Sequence, residues 1–227
     1  MDTAPQHVAQ LGNLSPLIAV AIAYIAGSIP AAYLAGRWRG VDLRKHGSGN
    51  LGATNVARVL GTRIGAAVFA FDVLKGFLPV LLLPRFTDTA HPEMLALALG
   101  VAAILGHVRP VFLLGRGGGK GVATATGVFL GLAWLPTLIS FAVFLAVVLV
   151  WRYVSLASLA GAVTLPLAFL ATGTRINDPE LIAAVLIAAF VFYTHRANVG
   201  RLRRGEEPRF RSARSAPAME PQPPKIA

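Results

Sequence analysis

Three segments of this 227-residue chain interleave glycine with hydroxyl, amide and cationic side chains. They are Gly47-Ser48-Gly49-Asn50-Leu51-Gly52-Ala53-Thr54-Asn55, Gly115-Arg116-Gly117-Gly118-Gly119-Lys120-Gly121, and His195-Arg196-Ala197-Asn198-Val199-Gly200-Arg201-Leu202. Glycine lets backbone amides approach a ligand closely, and amides beside Arg or Lys are what binding of a phosphate group requires. In the first segment a helix opening at Thr54 or Asn55 would turn its amide end toward an anion, and Arg58 would add a guanidinium for bidentate contact. Ser48, Asn50 and Asn55 are suited to orienting the anion, and their interleaving with Gly47, Gly49 and Gly52 favours a ligand site over an ordinary loop with topological cations. In the second segment Gly118, Gly119, Lys120 and Gly121 lead into Val122-Ala123-Thr124, where amides and an ammonium could meet phosphate at a helix N-terminus. Taken alone, a flexible turn explains that segment equally well.

His195 and Asn198 share one helix face if the last apolar helix continues past the membrane boundary. His107, directly after Gly106, could bring a second imidazole to the same place, either as a base or as a hydrogen-bond donor. The link Arg152-Tyr153-Val154-Ser155-Leu156-Ala157-Ser158 offers Ser155. Arg201, Arg203, Arg204, Arg209, Arg211 and Arg214 are assigned to lipid headgroups rather than substrate. Asp72 and Lys75, at helical spacing within an apolar run, read as a structural ion pair.

Two nucleotide motifs are imitated and fail. Gly47 to Gly52 fits the dinucleotide fingerprint, but no alternating strand precedes it. Gly115 to Gly121 is mis-spaced for a phosphate-binding P-loop, and Gly121 stands where Ser or Thr is required. The chain has no cysteine, which excludes disulfides, thiolate nucleophiles and Cys-ligated metal centres. The histidines are dispersed and the carboxylates few near the motifs, so neither a metal nor a cofactor is expected.

The elements that must position these residues are transmembrane helices. Hydrophobic residues make up 55% of the chain and charged ones 14%, with a mean hydropathy of +0.64, far more apolar than a soluble domain. The net charge of +11 would suit nucleic acid, but the Lys and Arg fall between and after the apolar runs, where topology and anionic lipid explain them. Nucleic acid is not an expected partner. Residues 1–13 contain no Lys or Arg and so no cationic leader region, so the first apolar run is expected to be kept as a helix.

The reading is an all-α, polytopic integral membrane protein with about seven transmembrane helices: Leu14–Leu34, Ile64–Pro84, Met94–Leu114, Gly121–Leu135, Pro136–Trp151, Ser155–Thr172 and Pro179–Tyr193. The charge-free stretch between Lys120 and Arg152, broken at Trp134-Leu135-Pro136, is taken as a helical hairpin. That choice places Arg37, Arg39, Arg44, Lys45, Arg58, Arg63, Arg109, Arg116, Lys120, Arg152 and the Arg-rich tail on one side, and only Arg85 and Arg175 on the other. The N-terminus is then outside, the C-terminus cytoplasmic, and all three motifs share the cytoplasmic face. One transmembrane domain is expected over 14–210, after a polar segment 1–13 and before a disordered tail 211–227. No internal repeat is evident.

Together the segments resemble the PlsY-type acyl-phosphate:glycerol-3-phosphate acyltransferases of bacterial membranes. Gly27-Ser28-Ile29-Pro30 with Gly47 through Arg58 is similar to the family's first motif, and Asp72-Val73-Leu74-Lys75-Gly76 to a further stretch. Gly106-His107 through Pro110 to Gly118-Gly119-Lys120-Gly121-Val122-Ala123-Thr124 is similar to the second motif, and His195 to Glu207 to the third. The likeness runs from Gly27 to Glu207. One departure is that Gly117 stands where the family commonly has a basic residue, with Arg116 one position earlier.

The resemblance implies transfer of a fatty acyl group from acyl phosphate to the 1-hydroxyl of glycerol 3-phosphate, giving lysophosphatidate and phosphate, the first acylation of phospholipid synthesis. It also implies a bacterial inner-membrane location, contact with membrane lipids and a functional link to an enzyme that forms acyl phosphate. Carried over residue by residue, it makes Ser48, Arg58, Lys120, His195 and Asn198 catalytic or binding residues and Glu207 structural. The base is left open between the substrate's own phosphate and a side chain. An acyl phosphate is already an activated anhydride, so positioning and charge stabilisation suffice for direct transfer. None of the histidines is followed five residues later by Asp, which disfavours the acyl-CoA chemistry of single-anchor glycerophosphate acyltransferases. Two other classes remain to be separated: a transporter of a phosphorylated solute, which should show repeats and a midplane site, and a lipid-binding scaffold without chemistry.

Overall fold

Leu, Val, Ile, Phe and Ala surround most of the helices instead of forming one stripe, and many of the largest lie on the outside: Leu17, Leu149 and Leu186 are mostly exposed. A surface of this kind is stable only against lipid. The computed structural model describes residues 14–210, and the segments expected at 1–13 and 211–227 lie outside them.

Among the described residues there are ten α-helices and no strand. They are α1 (Pro16–Ser28), α2 (Ala31–Trp38), α3 (Ala53–Leu60), α4 (Thr62–Leu82), α5 (Pro92–Val108), α6 (Val122–Leu132), α7 (Trp134–Trp151), α8 (Val154–Ala171), α9 (Pro179–Thr194) and α10 (Arg196–Arg203). The integral membrane, all-helical expectation therefore stands. Five segments are long and apolar enough to cross a bilayer, and a sixth if α9 and α10, bent by 60°, are one span. With eleven residues, α6 rises only about 16 Å and is too short to span alone.

Several boundaries differ from expectation for visible reasons. The first crossing is broken after Ser28, because Pro30 cannot continue the ladder, and α2 begins afresh at Ala31. The hairpin breaks at Ala133, which is extended at φ −153°, rather than at Trp134-Leu135-Pro136. Pro136 is tolerated because it falls in the first turn of α7, where its missing N–H leaves nothing unpaired.

Glycines set the helix spacing that builds the site. A Cβ on Gly127 of α6 would overlap the Val73 carbonyl of α4, and one on Gly76 of α4 would overlap the Thr124 carbonyl of α6. The α1/α5 pair repeats the device: Gly27 lies against the Ala103 carbonyl and Gly106 against that of Tyr24. Such reciprocal small residues let membrane helices approach backbone to backbone, where dispersion rather than hydrophobic burial holds them. Tyr24 Oη also donates to the Arg109 carbonyl (2.7 Å), tying the α5 terminus to α1. His107 and Lys120 are thereby carried on well-fixed elements.

Candidate active site

A polar cleft of about 810 Å³ opens among the α3 loop, the starts of α6 and α8, and the α9/α10 bend. Most of the residues singled out by chemistry line it: Gly47, Ser48, Gly49, Asn50, Gly52, Thr54, Asn55, Arg58, His107, Lys120, Gly121, Ser155, His195 and Asn198. Gly118 and Gly119 do not. They sit behind it, packed against His107, where a Cβ on either would overlap that residue's backbone or ring. Their role is close approach rather than contact with the cleft. Arg116 is exposed and also outside the lining.

The first motif is a loop held from within. Gly47 and Gly49 take φ +63° and +71°, which admits the reversal around Ser48. Asn55, almost completely buried, accepts from the Ser48 N–H (2.8 Å) and donates to the carbonyls of Leu43 (3.2 Å) and His46 (3.1 Å). Its amide is spent on the loop backbone, so Asn55 shapes the site instead of reaching an anion, a correction to its expected role. The Ser48 hydroxyl stays open to the cleft, and α3 begins at Ala53 without a side-chain cap, so its first amides face a prospective anion.

On the opposite wall runs a charged chain. Lys120 Nζ donates to Asn198 Oδ1, Asn198 Nδ2 donates to Glu207 Oε1 (2.6 Å), and Arg201 Nε pairs with Glu207 Oε2 (2.7 Å). Burial pushes Glu207 up, but the nearby Ser155 hydroxyl and the donors Asn198 and Arg201 outweigh it and hold the carboxyl below its usual range. Arg201 therefore belongs to the cleft, a correction to its assignment to the headgroup layer. Its spacing from Asn198, one turn along α10, is the signal available in the sequence. Arg58 stands on the facing rim with no ion pair among the described residues.

Burial lowers the Lys120 ammonium to about 8; Glu207 opposes the shift, and Arg201 and Arg58 reinforce it. The charged form is the one that attracts phosphate, so raising the pH through about 8 removes it. Affinity for a phosphate monoester should fall above that pH, approaching tenfold per unit. Lys120→Met should bind more weakly throughout and lose that limb. A wild-type affinity flat to pH 9.5, measured by calorimetry, would exclude Lys120 as a phosphate ligand.

His195 is buried at the α9/α10 bend, and its Nδ1 lies 2.8 Å from the Val191 carbonyl. A carbonyl only accepts, so Nδ1 carries a proton and the neutral ring keeps its lone pair on Nε2. Asp72, assigned in the sequence to a structural pair, also reaches the cleft wall. It lies ten residues into α4 but beside His107 in the last turn of α5, so the cleft reaches past the start of α4 to the ends of the neighbouring helices.

Next to this cleft lies an apolar groove, and Phe69, Val122, Phe144 and Ser158 line both. Its hydroxyls are occupied internally: Thr126 donates to Val122, Thr137 to Ala133, Ser140 to Gly161 and Ser158 to Val154. The groove thus presents hydrocarbon despite four polar side chains.

Fold and site define the class: an integral membrane protein in which a cationic, phosphate-compatible cleft adjoins a hydrocarbon groove. The family model for glycerol-3-phosphate acyltransferase matches residues 17–205. A glycerol-3-phosphate acyltransferase of Trichlorobacter lovleyi is 47% identical over 194 residues, covering 85% of this chain and 96% of that one. The corresponding protein of Geobacter sulfurreducens is 48% identical over 200 residues, covering 88% and 100%. Among solved structures, PlsY, an integral membrane glycerol 3-phosphate acyltransferase, superposes in its glycerol 3-phosphate form with a TM-score of 0.78 at 42% identity, covering 86% of this chain and 96% of that one. Its lysophosphatidic acid form gives 0.76 at 40% identity, covering 87% and 96%. The chain belongs to the glycerol-3-phosphate acyltransferase family, and as a membrane acyltransferase it takes its place in phospholipid synthesis.

Proposed function

We propose that the acyl donor is an acyl phosphate, and that the chain transfers its acyl group to the 1-hydroxyl of glycerol 3-phosphate. The observation that carries this reading is the junction of the cationic cleft with the apolar groove. Both reactant headgroups are phosphates, which calls for more cationic and amide donors than one anion needs, and Arg58, Lys120, Arg201 and the Ser48 loop supply them. The acyl chain lies in the groove, with its carbonyl carbon at the junction.

The hydroxyl oxygen of glycerol 3-phosphate attacks that carbon. The new ester C–O bond forms as the bond from the acyl carbon to the phosphate oxygen breaks, and the hydroxyl proton leaves on inorganic phosphate, directly or through His195 Nε2. Lys120 and Arg58 offset the charge that develops on the leaving phosphate, and Ser48 with the α3 amides orients the acceptor. No covalent enzyme intermediate is needed, since the donor is already activated.

We place the motifs at the cytoplasmic face of a bacterial inner membrane, with the N-terminus outside. The distribution of Arg and Lys supports this orientation. A seventh crossing then requires α6 to rely on its neighbours: Thr124, Ala125, Gly127, Val128 and Phe129 are buried against the bundle. The product, lysophosphatidate, would leave by the groove, and an enzyme that makes acyl phosphate would supply the donor.

The decisive experiment is lysophosphatidate formation by purified protein in lipid, from glycerol 3-phosphate with palmitoyl phosphate or palmitoyl-CoA. Product with palmitoyl phosphate alone is expected. Product from palmitoyl-CoA would overturn the donor, and none from either would revive a transporter of phosphorylated solutes.

A further inference from the structure

Asp72 and Lys75 lie one turn apart in the middle of α4, both more than nine-tenths buried, with Lys75 Nζ 2.8 Å from Asp72 Oδ1. A buried ion pair that serves only itself is no more stabilising than apolar side chains of the same size, and inside a membrane helix it is expensive. Here both members reach further. Lys75 Nζ donates to the Ile29 carbonyl (2.9 Å) at the break between α1 and α2. Asp72 Oδ1 lies 3.6 Å from His107 Nδ1, a buried nitrogen with no hydrogen bond among the described residues.

The imidazole has little freedom on its other edge. Gly119 sits so near His107 Nε2 that a Cβ would overlap it, and the Gly119 N–H donates to the His107 carbonyl (3.3 Å). Asp72 and His107 both line the main cleft and a small cavity behind it, bounded by Ser28, Pro30 and Gly118. The ring is therefore wedged between a carboxylate and a glycine loop at the cleft wall.

We propose that Asp72 is a positioning residue: its carboxylate accepts a hydrogen bond from the Nδ1–H of His107 and holds that ring in one tautomer and one orientation at the cleft wall. A carboxylate only accepts, so closing the 3.6 Å gap places the proton on Nδ1 and leaves Nε2 as an acceptor in the neutral ring. With the tautomer fixed, the part of the ring that lines the cleft keeps one arrangement for an incoming hydroxyl, whereas the phosphate needs donors, which Lys120 and Arg58 provide. Lys75 supplies the countercharge that lets Asp72 stay in place, and it anchors the arrangement to the α1/α2 break. The inference deepens the acyl-transfer reading of the cleft and rests on it.

A double-mutant cycle tests it in lipid, with kcat and KM for glycerol 3-phosphate read separately. Asp72→Asn and the neutral pair Asp72→Leu/Lys75→Met should each lower kcat about tenfold or more, and adding His107→Gln to either should change little, because Asp72 acts through His107. Full turnover in the neutral pair would make Asp72 only a counter-ion of Lys75 and overturn the proposal, as would strictly additive losses. The nitrogen-15 spectrum of the His107 ring gives a readout independent of turnover. The Nδ1-protonated tautomer is expected in the wild type and a mixture in the neutral pair, and identical ring signals in both would equally overturn it. If the acyl-transfer reading itself fails, the wild type makes no product while the tautomer difference still registers.

Discussion

His195→Ala should lower kcat for lysophosphatidate formation by about a hundredfold to ten-thousandfold while leaving the protein folded. The Nδ1 bond to the Val191 carbonyl fixes the ring and leaves Nε2 unpaired at the cleft. Losing a ring held this firmly removes either a base or the group that aims the attacking hydroxyl. The two roles separate by pH. If Nε2 accepts the proton, the wild-type kcat falls on the acid side as the imidazole is protonated, and the limb disappears in His195→Ala. If the substrate's phosphate accepts it, the limb survives in the variant at a reduced rate. A kcat within about threefold of wild type would remove His195 from the site.

The second large effect is expected far from any ligand. Gly127→Leu in α6 should destabilise the bundle by about 3 kcal/mol and abolish most turnover, because its side chain would have to displace the Val73 backbone of α4. Helices held by backbone contact cannot yield locally, and α6 begins just after Lys120, so separation also withdraws the ammonium from the cleft. Gly161→Ala is the control, since its nearest neighbour is the Ser140 hydroxyl at an ordinary 3.4 Å. Thermal denaturation in detergent should show a large loss for the first and almost none for the second. Equal melting of Gly127→Leu and wild type would mean that α4 and α6 are not held at this distance.

What the sequence made legible follows from how local the signals were. Apolar runs and cation placement are properties of single segments, so the helical membrane architecture and most helix positions could be read directly. The glycine motifs announced loops near phosphate-compatible side chains for the same reason. Direction was harder. Asn55 looks like a ligand in the sequence, but its amide turns inward to brace Leu43, His46 and Ser48 across a loop whose path no spacing rule gives. Gly118 and Gly119 resemble ligand amides and instead make room for His107, a partner on another helix. Arg201 is hidden among neighbouring arginines, and only the Glu207 carboxylate distinguishes it. The pairing of Asp72 with Lys75 is legible from their spacing, yet the reach of Asp72 to the cleft depends on how α4 packs against α5.

The groove that shares walls with the cleft bears on the energetics of moving substrate between phases. Drawing a fatty chain out of a bilayer costs about 0.8 kcal/mol for each methylene brought into water, more for a long chain than a few headgroup contacts could return. A site that opens onto a hydrocarbon groove reverses which reactant must travel. The small, water-soluble one descends, and the tail stays in hydrocarbon throughout. Because that reactant carries its own charge, it is met there by the cations Arg58, Lys120 and Arg201 that line the cleft.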